Sequence, residues 1–158
     1  PEPETLKRLS GFCDLLLVEA DGARRLPLKV PAVHEPVIPE FADIVVGVTG
    51  LDCIGKKICD IAHRPEDVAE FLRKKTDEPV MWEDVVKIAS SENGLRKNVG
   101  EKSFLVYFNK ADVLESSGVA ENIIKKCRKA GIEAVCGSLK KIMERQEICR
   151  KFHGIRRK

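Results

Sequence analysis

The sequence predicts an α/β protein built on a parallel sheet, and three observations carry that expectation. Four apolar stretches run on without alternation, the mark of strands covered on both faces: residues 13–20 (CDLLLVEA), 42–49 (ADIVVGVT), 103–108 (SFLVYF) and 132–136 (IEAVC). Segments with apolar residues at helical spacing lie between and after them. The resulting order, β, β, α, α, β, α, β, α, is the one that right-handed crossovers between parallel strands produce.

Each element has its own signal. The first strand closes on Glu19, Asp21 and Gly22, and Pro27, Pro31, Pro36 and Pro39 then mark a long, stiff loop without regular structure. After the second strand, Pro65-Glu66-Asp67 makes a good first helical turn, with Val68, Phe71 and Leu72 as its apolar face. Trp82, Val85, Val86 and Ala89 form a second stripe, with Trp82 read as core, so a helical segment over about 64–98 separates core strands. Beyond the third strand, Val119, Ile123, Cys127 and Ala130 share a face, with Ser117 as N-cap and Gly131 just past the end. A last helix carries Leu139, Ile142, Met143 and Cys149 after the fourth strand.

Composition narrows the class. A chain of 158 residues fits a single domain, and 34% charged with 43% hydrophobic residues suits a globular protein. No apolar run approaches the roughly 18 residues of a membrane-spanning helix. The net charge of +3 is weak evidence for a polyanionic partner, and no aromatic–basic interleaving suggests base stacking, so nucleic acid and membrane are not expected partners. Six cysteines without a C-x-x-C pair point to a reduced, cytoplasmic protein. Cys53, Cys59 and His63 have spacings that suit a soft metal, with Cys59 and His63 at i, i+4 on a helix, although a buried free cysteine is often only a small hydrophobe.

The strongest chemical signal is Asn109-Lys110-Ala111-Asp112 at the end of an apolar strand. An N-K-x-D tetrad in this setting is a guanine-reading motif. Asp112 can accept hydrogen bonds from the guanine ring N–H and its exocyclic amine, a donor pair adenine does not offer, so the wrong base would leave a carboxylate unpaired. Asn109 can brace the loop and reach the purine N7, while the Lys110 stem can lie over the base. Ser138-Leu139-Lys140, after the next strand, stands where such proteins present a backbone amide to the guanine carbonyl oxygen, here that of Leu139.

The acidic end of residues 13–22 resembles a Walker B element. There Asp21 or Glu19 would hold Mg²⁺, directly or through water, or orient the attacking water, and Gly22 would let its amide approach a γ-phosphate. Arg24, Arg25 and Lys29 can clamp phosphate oxygens or solvate the loop. A P-loop, G-x-x-x-x-G-K-[ST], occurs nowhere in the 158 residues. The expectation is therefore a P-loop NTPase-like three-layer α/β fold lacking its N-terminal β–P-loop–α unit.

Residues 16–29 (LLVEADGARRLPLK), Pro31-Ala32, His34-Glu35-Pro36-Val37-Ile38-Pro39, Gly47-Val48-Thr49-Gly50-Leu51-Asp52, Gly55 and the N-K-A-D together resemble the YqeC-type family. These are accessory proteins of selenium-dependent molybdenum hydroxylases. The resemblance implies a GTPase-like protein that uses GTP and Mg²⁺ and helps mature or insert the cofactor of such a hydroxylase. Its partners would be that client enzyme or other maturation factors, with a homodimer possible. It also gives the stiff loop a role as a switch or client-contact segment through Arg24, Lys29, His34 and Glu35. Two readings stand beside it: a non-catalytic interaction module with a degenerate nucleotide site, and another metal-centre-assembly GTPase.

Overall fold

Strand pairing in the computed structural model, which describes residues 2–144, is parallel throughout. In chain order the elements are helix α1 (Pro3–Ser10), strand β1 (Leu28–Lys29), β2 (Ile44–Gly50), α2 (Ile58–Ile61), β3 (Ala62–His63), α3 (Pro65–Leu72), α4 (Trp82–Ser90), β4 (Ser103–Asn109), α5 (Ser117–Lys129) and β5 (Glu133–Cys136). Short 3-10 turns occupy Leu51–Cys53 and Ala111–Val113, and a further helical stretch starts at residue 139. The main sheet has the order β2-β4-β5, and β1 and β3 form a two-stranded satellite. Gly50 lies opposite Asn109 and Phe108 opposite Cys136, so all three main strands end at one edge.

Local chemistry explains these elements. The β-branched and aromatic residues of β2 and β4 suit a pleated, packed surface. Helix α5 starts where the Ser116 side chain accepts the Gly118 N–H, so the N-cap is Ser116, one residue before the serine expected from sequence. It ends with Lys126, Arg128 and Lys129 near its negative pole, and Gly131 at φ +70° turns the chain into β5. Helix α3 begins at Pro65, where the missing amide costs nothing, and carries Glu66 and Asp67 in its first turn.

Helices α4 and α5 cover one face of the main sheet. Val106 and Phe108 are fully buried there with Val85, Ile88, Ile123 and Cys127, each large side chain contributing about 1.5–3 kcal/mol of burial. Trp82 packs at the margin of this core, partly exposed. The opposite face is different. Ile44, Val46, Val48 and Val135 are exposed there, with Leu105 opposite Val46 and Tyr107 between Val48 and Val135. Parallel sheets ordinarily have both faces covered, and no described element covers this one. Among the described residues no helix is long and apolar enough to cross a membrane.

Three expectations need correction. Residues 13–20 form no strand: the run pairs with no other strand, and Leu15 and Leu17 are exposed. A strand persists only where a neighbour takes up its N–H and C=O groups, and no described strand runs beside this one. Ala20 O instead accepts Val37 N–H (3.0 Å), a loop contact. The proline-rich loop is not wholly irregular, because Leu28 and Lys29 pair with Ala62 and His63. The element order also gains α1 before the first expected strand, and α2 with β3 before α3. Cys149, expected on the last helix, lies outside the described residues.

Candidate functional site

Because every main strand ends at the same edge, the loops that follow β2, β4 and β5 are brought together there, the usual ligand position in open α/β sheets. The β4 and β5 loops are stitched by backbone bonds: Gly137 N–H donates to Phe108 O and Ala111 N–H to Gly137 O, each 2.9 Å. Asn109 adds a side-chain tie. Its Oδ1 accepts the N–H of Lys110 (2.8 Å) and of Leu139 (3.1 Å). Asp112 is exposed, and the neighbouring Ser138 hydroxyl, together with nearby Lys141 and Lys140, holds its carboxyl below the usual range. Asn109, Lys110, Asp112, Ser138 and Leu139 therefore share one loop cluster. The Leu139 amide, expected to face a guanine carbonyl, is engaged by Asn109.

Lys110 adopts a left-handed backbone (φ +62°) and sends its Nζ to Asp52 Oδ2 at 2.7 Å. Asp52 was not singled out as a site residue by sequence reasoning. Its signal is position: it follows the β2 end in Gly50-Leu51-Asp52, and that end lies beside the N-K-A-D.

A third loop docks on the same edge. Pro27 O accepts both Gly50 N–H and Thr49 Oγ1–H at 2.9 Å. Two residues on, Lys29 is only 6% exposed, and its ammonium meets three acceptors: Gly22 O at 2.8 Å, Glu35 Oε2 at 2.8 Å and Asp21 Oδ2 at 3.2 Å. Arg64 also bonds Glu35 Oε2 and reaches Asp67 Oδ2 at 3.4 Å. Burial alone would raise the Glu35 pKa, but the bonds from Lys29, Arg64 and the Ala32 N–H bring it down to about 2. The loop is pinned further by Lys97, which donates to the carbonyls of Ala32 and Val33, and by Asn98 Nδ2 on Pro36 O (3.1 Å).

The other expected residues are placed as follows. Glu19, Gly22, Arg24 and His34 are exposed, and Arg24 and Arg25 both have positive φ (50° and 65°). Asp21 faces Lys29 rather than an open position, so it does not fit a metal ligand as arranged. Lys29, expected to meet phosphate or solvent, is a buried clamp, and Arg64 completes it.

The cysteine–histidine grouping does not assemble. Helix α2 ends at Ile61, so Cys59 and His63 share no helix face. Cys53 is fully buried with its thiol pushed up to about 12 by burial and by Asp52, while Cys59 is exposed. His63 is held below its usual pKa by burial and by Arg64, Arg24 and Lys29. Among the described residues no three His, Cys, Asp or Glu side chains could hold a metal ion together.

A parallel α/β sheet with its polar loops gathered at the carboxyl ends of the strands is consistent with a P-loop NTPase-like fold. A family model described as "YqeC protein" matches residues 1–66. The "Uncharacterized protein YqeC" of Escherichia coli (strain K12) is 31% identical over 142 residues, which cover 89% of this chain and 55% of that protein. The chain is thus similar to YqeC proteins, most densely over residues 1–66 where the family model matches, and spans about half the length of the curated relative it matches. No solved structure matches it.

Proposed function

We propose that this chain carries the base-recognition part of a guanine-nucleotide site. The observation that supports the reading most is the joining of two loops far apart in sequence: Asn109 Oδ1 accepts the Leu139 amide while the Ala111 N–H donates to Gly137 O. That leaves an exposed, ionised carboxylate at the strand ends with acceptor capacity for two N–H donors. Guanine presents such a pair, and adenine does not. The role proposed for the whole protein is a cytoplasmic, GTP-dependent accessory to maturation of a selenium-dependent molybdenum hydroxylase, with that enzyme as client and homodimerisation as a further possibility. Magnesium accompanying the nucleotide would compete with Lys29 for Asp21, so no step of this reading runs through the metal.

The clamp at Lys29 favours a second reading, in which the nucleotide site is degenerate and the protein acts as a non-catalytic interaction module. An acidic end neutralised by its own lysine is a structural device first. Nucleotide binding separates the two. Titrated with fluorescent nucleotides, the full natural polypeptide should bind GDP and GTP on the order of 100-fold more tightly than ATP. Asp112→Asn should shift preference toward xanthosine nucleotides, because the amide reverses one donor–acceptor pair. Equal binding of GTP and ATP, or binding of neither, overturns the guanine assignment at Asp112.

A further inference from the structure

Asp52 follows β2 by two residues and Lys110 follows β4 by one, and the register sets Gly50 opposite Asn109. The two side chains are therefore delivered to each other by the sheet itself, and Lys110 Nζ meets Asp52 Oδ2 at 2.7 Å. The pair is asymmetric. The Asp52 side chain is 24% exposed and that of Lys110 is 45% exposed, so the ammonium is tied down while nearly half of the lysine side chain stays open at the strand ends.

The place of Asp52 is set by its neighbours. A Cβ on Gly50 would stand 2.5 Å from Asp52 Oδ1 and 2.8 Å from Pro27 Cβ, so only glycine leaves room for this carboxylate. Asp52 Oδ1 is buried without a hydrogen-bond partner, and the carboxylate's attraction is directed through Oδ2 toward Lys110. The left-handed backbone at Lys110, strained for a residue with a Cβ, is a further sign that this geometry is imposed rather than relaxed.

We propose that Asp52 is a positioning residue for base recognition. By anchoring the ammonium of Lys110 it holds the aliphatic stem as a preformed shelf for a purine ring. The proposal rests on the guanine reading above. Without the anchor, a stem with four rotatable bonds would have to be ordered when the base binds, and that entropy would come out of the affinity. Asp52 does not touch the base edges, so it should govern how tightly a purine is held and not which purine is chosen.

The test uses the full natural polypeptide and GDP. Wild type is measured first against GDP and ADP; a lack of guanine preference removes the underlying reading before any variant is made. In a selective wild type, Asp52→Ala should weaken GDP about fivefold, the scale of a partly exposed ion pair, with the GDP-to-ADP ratio unchanged. The double variant Asp52→Ala/Lys110→Ala should bind no more weakly than Lys110→Ala alone, and Asp52→Glu should recover part of the loss. Multiplying losses in the double variant, or unchanged or tighter GDP binding by Asp52→Ala, overturns the anchor while leaving the guanine reading intact. Asp52→Asn, uncharged and of the same shape, replaces Asp52→Ala if the latter does not fold, with the same outcomes deciding.

Discussion

The two ends of the candidate site use the same residue types for opposite purposes. Around residues 109–112 and 137–139 the two loops are held to each other by backbone amides and one asparagine, an ion pair there ties Lys110 to Asp52, and the Asp112 carboxylate is left facing solvent. Around residues 21–35 the carboxylates of Asp21 and Glu35 are consumed by Lys29 and Arg64, and the loop is held by those charges. Where neutral groups carry the architecture, a charge is free for a ligand. Where charges carry it, they are committed, and a ligand must first displace one of them.

The contrast breaks most directly at Lys29. Its ammonium satisfies two carboxylates and a carbonyl while nearly fully buried, so Lys29→Met leaves Asp21 and Glu35 without their shared cation, with Arg64 still on Glu35. Loss of one partner from such a cluster costs about 3 kcal/mol. Urea unfolding should show that loss, whereas Asp112→Ala at the other end should stay within about 0.5 kcal/mol. Equal costs at the two positions would erase the distinction between clamp and open site.

A smaller effect sharpens the same comparison through pH. Glu35 has its pKa lowered in the fold to about 2 from an ordinary 4.5. A carboxyl with a depressed folded pKa contributes stability that is fully present above its unfolded value and is lost as pH falls through the folded one. The protein should therefore lose stability progressively between about pH 4.5 and pH 2. Glu35→Gln should be less stable at neutral pH and should show a flatter acid limb over that interval. The effect falls below that of Lys29→Met because Arg64 retains Asp67, and Lys29 retains Asp21 and Gly22 O. An unchanged acid limb would mean that Glu35 is not part of the clamp.

Much of this arrangement is legible in the sequence, and what is not has a physical reason. The runs that become β2, β4 and β5 are rich in β-branched and aromatic residues and pair with one another, so composition and outcome agree. Residues 13–20 are as continuously apolar, although with Val18 as their one β-branched residue and no aromatic, and form no strand, because an apolar run states what a segment can bury and not whether a neighbour is there to take its hydrogen bonds. The N-K-A-D and the Ser138-Leu139 loop were readable as partners because their approach follows from strand order alone. Lys29, Arg64 and Asp52 were not. Their roles depend on which charges meet across 29 residues (Glu35 to Arg64) or 58 (Asp52 to Lys110), a tertiary fact that local pattern does not contain.

The smallest expected effect tests the neutral side of the contrast. Asn109 Oδ1 accepts two amides, one from the next residue and one from the loop after β5. Asn109→Ala removes both, but Lys110 and Leu139 are partly exposed, so water can replace much of what is lost. The cost should be about 1 kcal/mol, the net worth of hydrogen bonds exchanged with solvent. The structural consequence should be larger than the energetic one: the Leu139 amide should gain faster hydrogen exchange while the β4 amides, held by β2 and β5, keep theirs. Should Leu139 exchange at the wild-type rate in Asn109→Ala, the loops are joined by the Gly137 backbone bonds alone, and the asparagine's place in the motif would have to be explained by a ligand rather than by the fold.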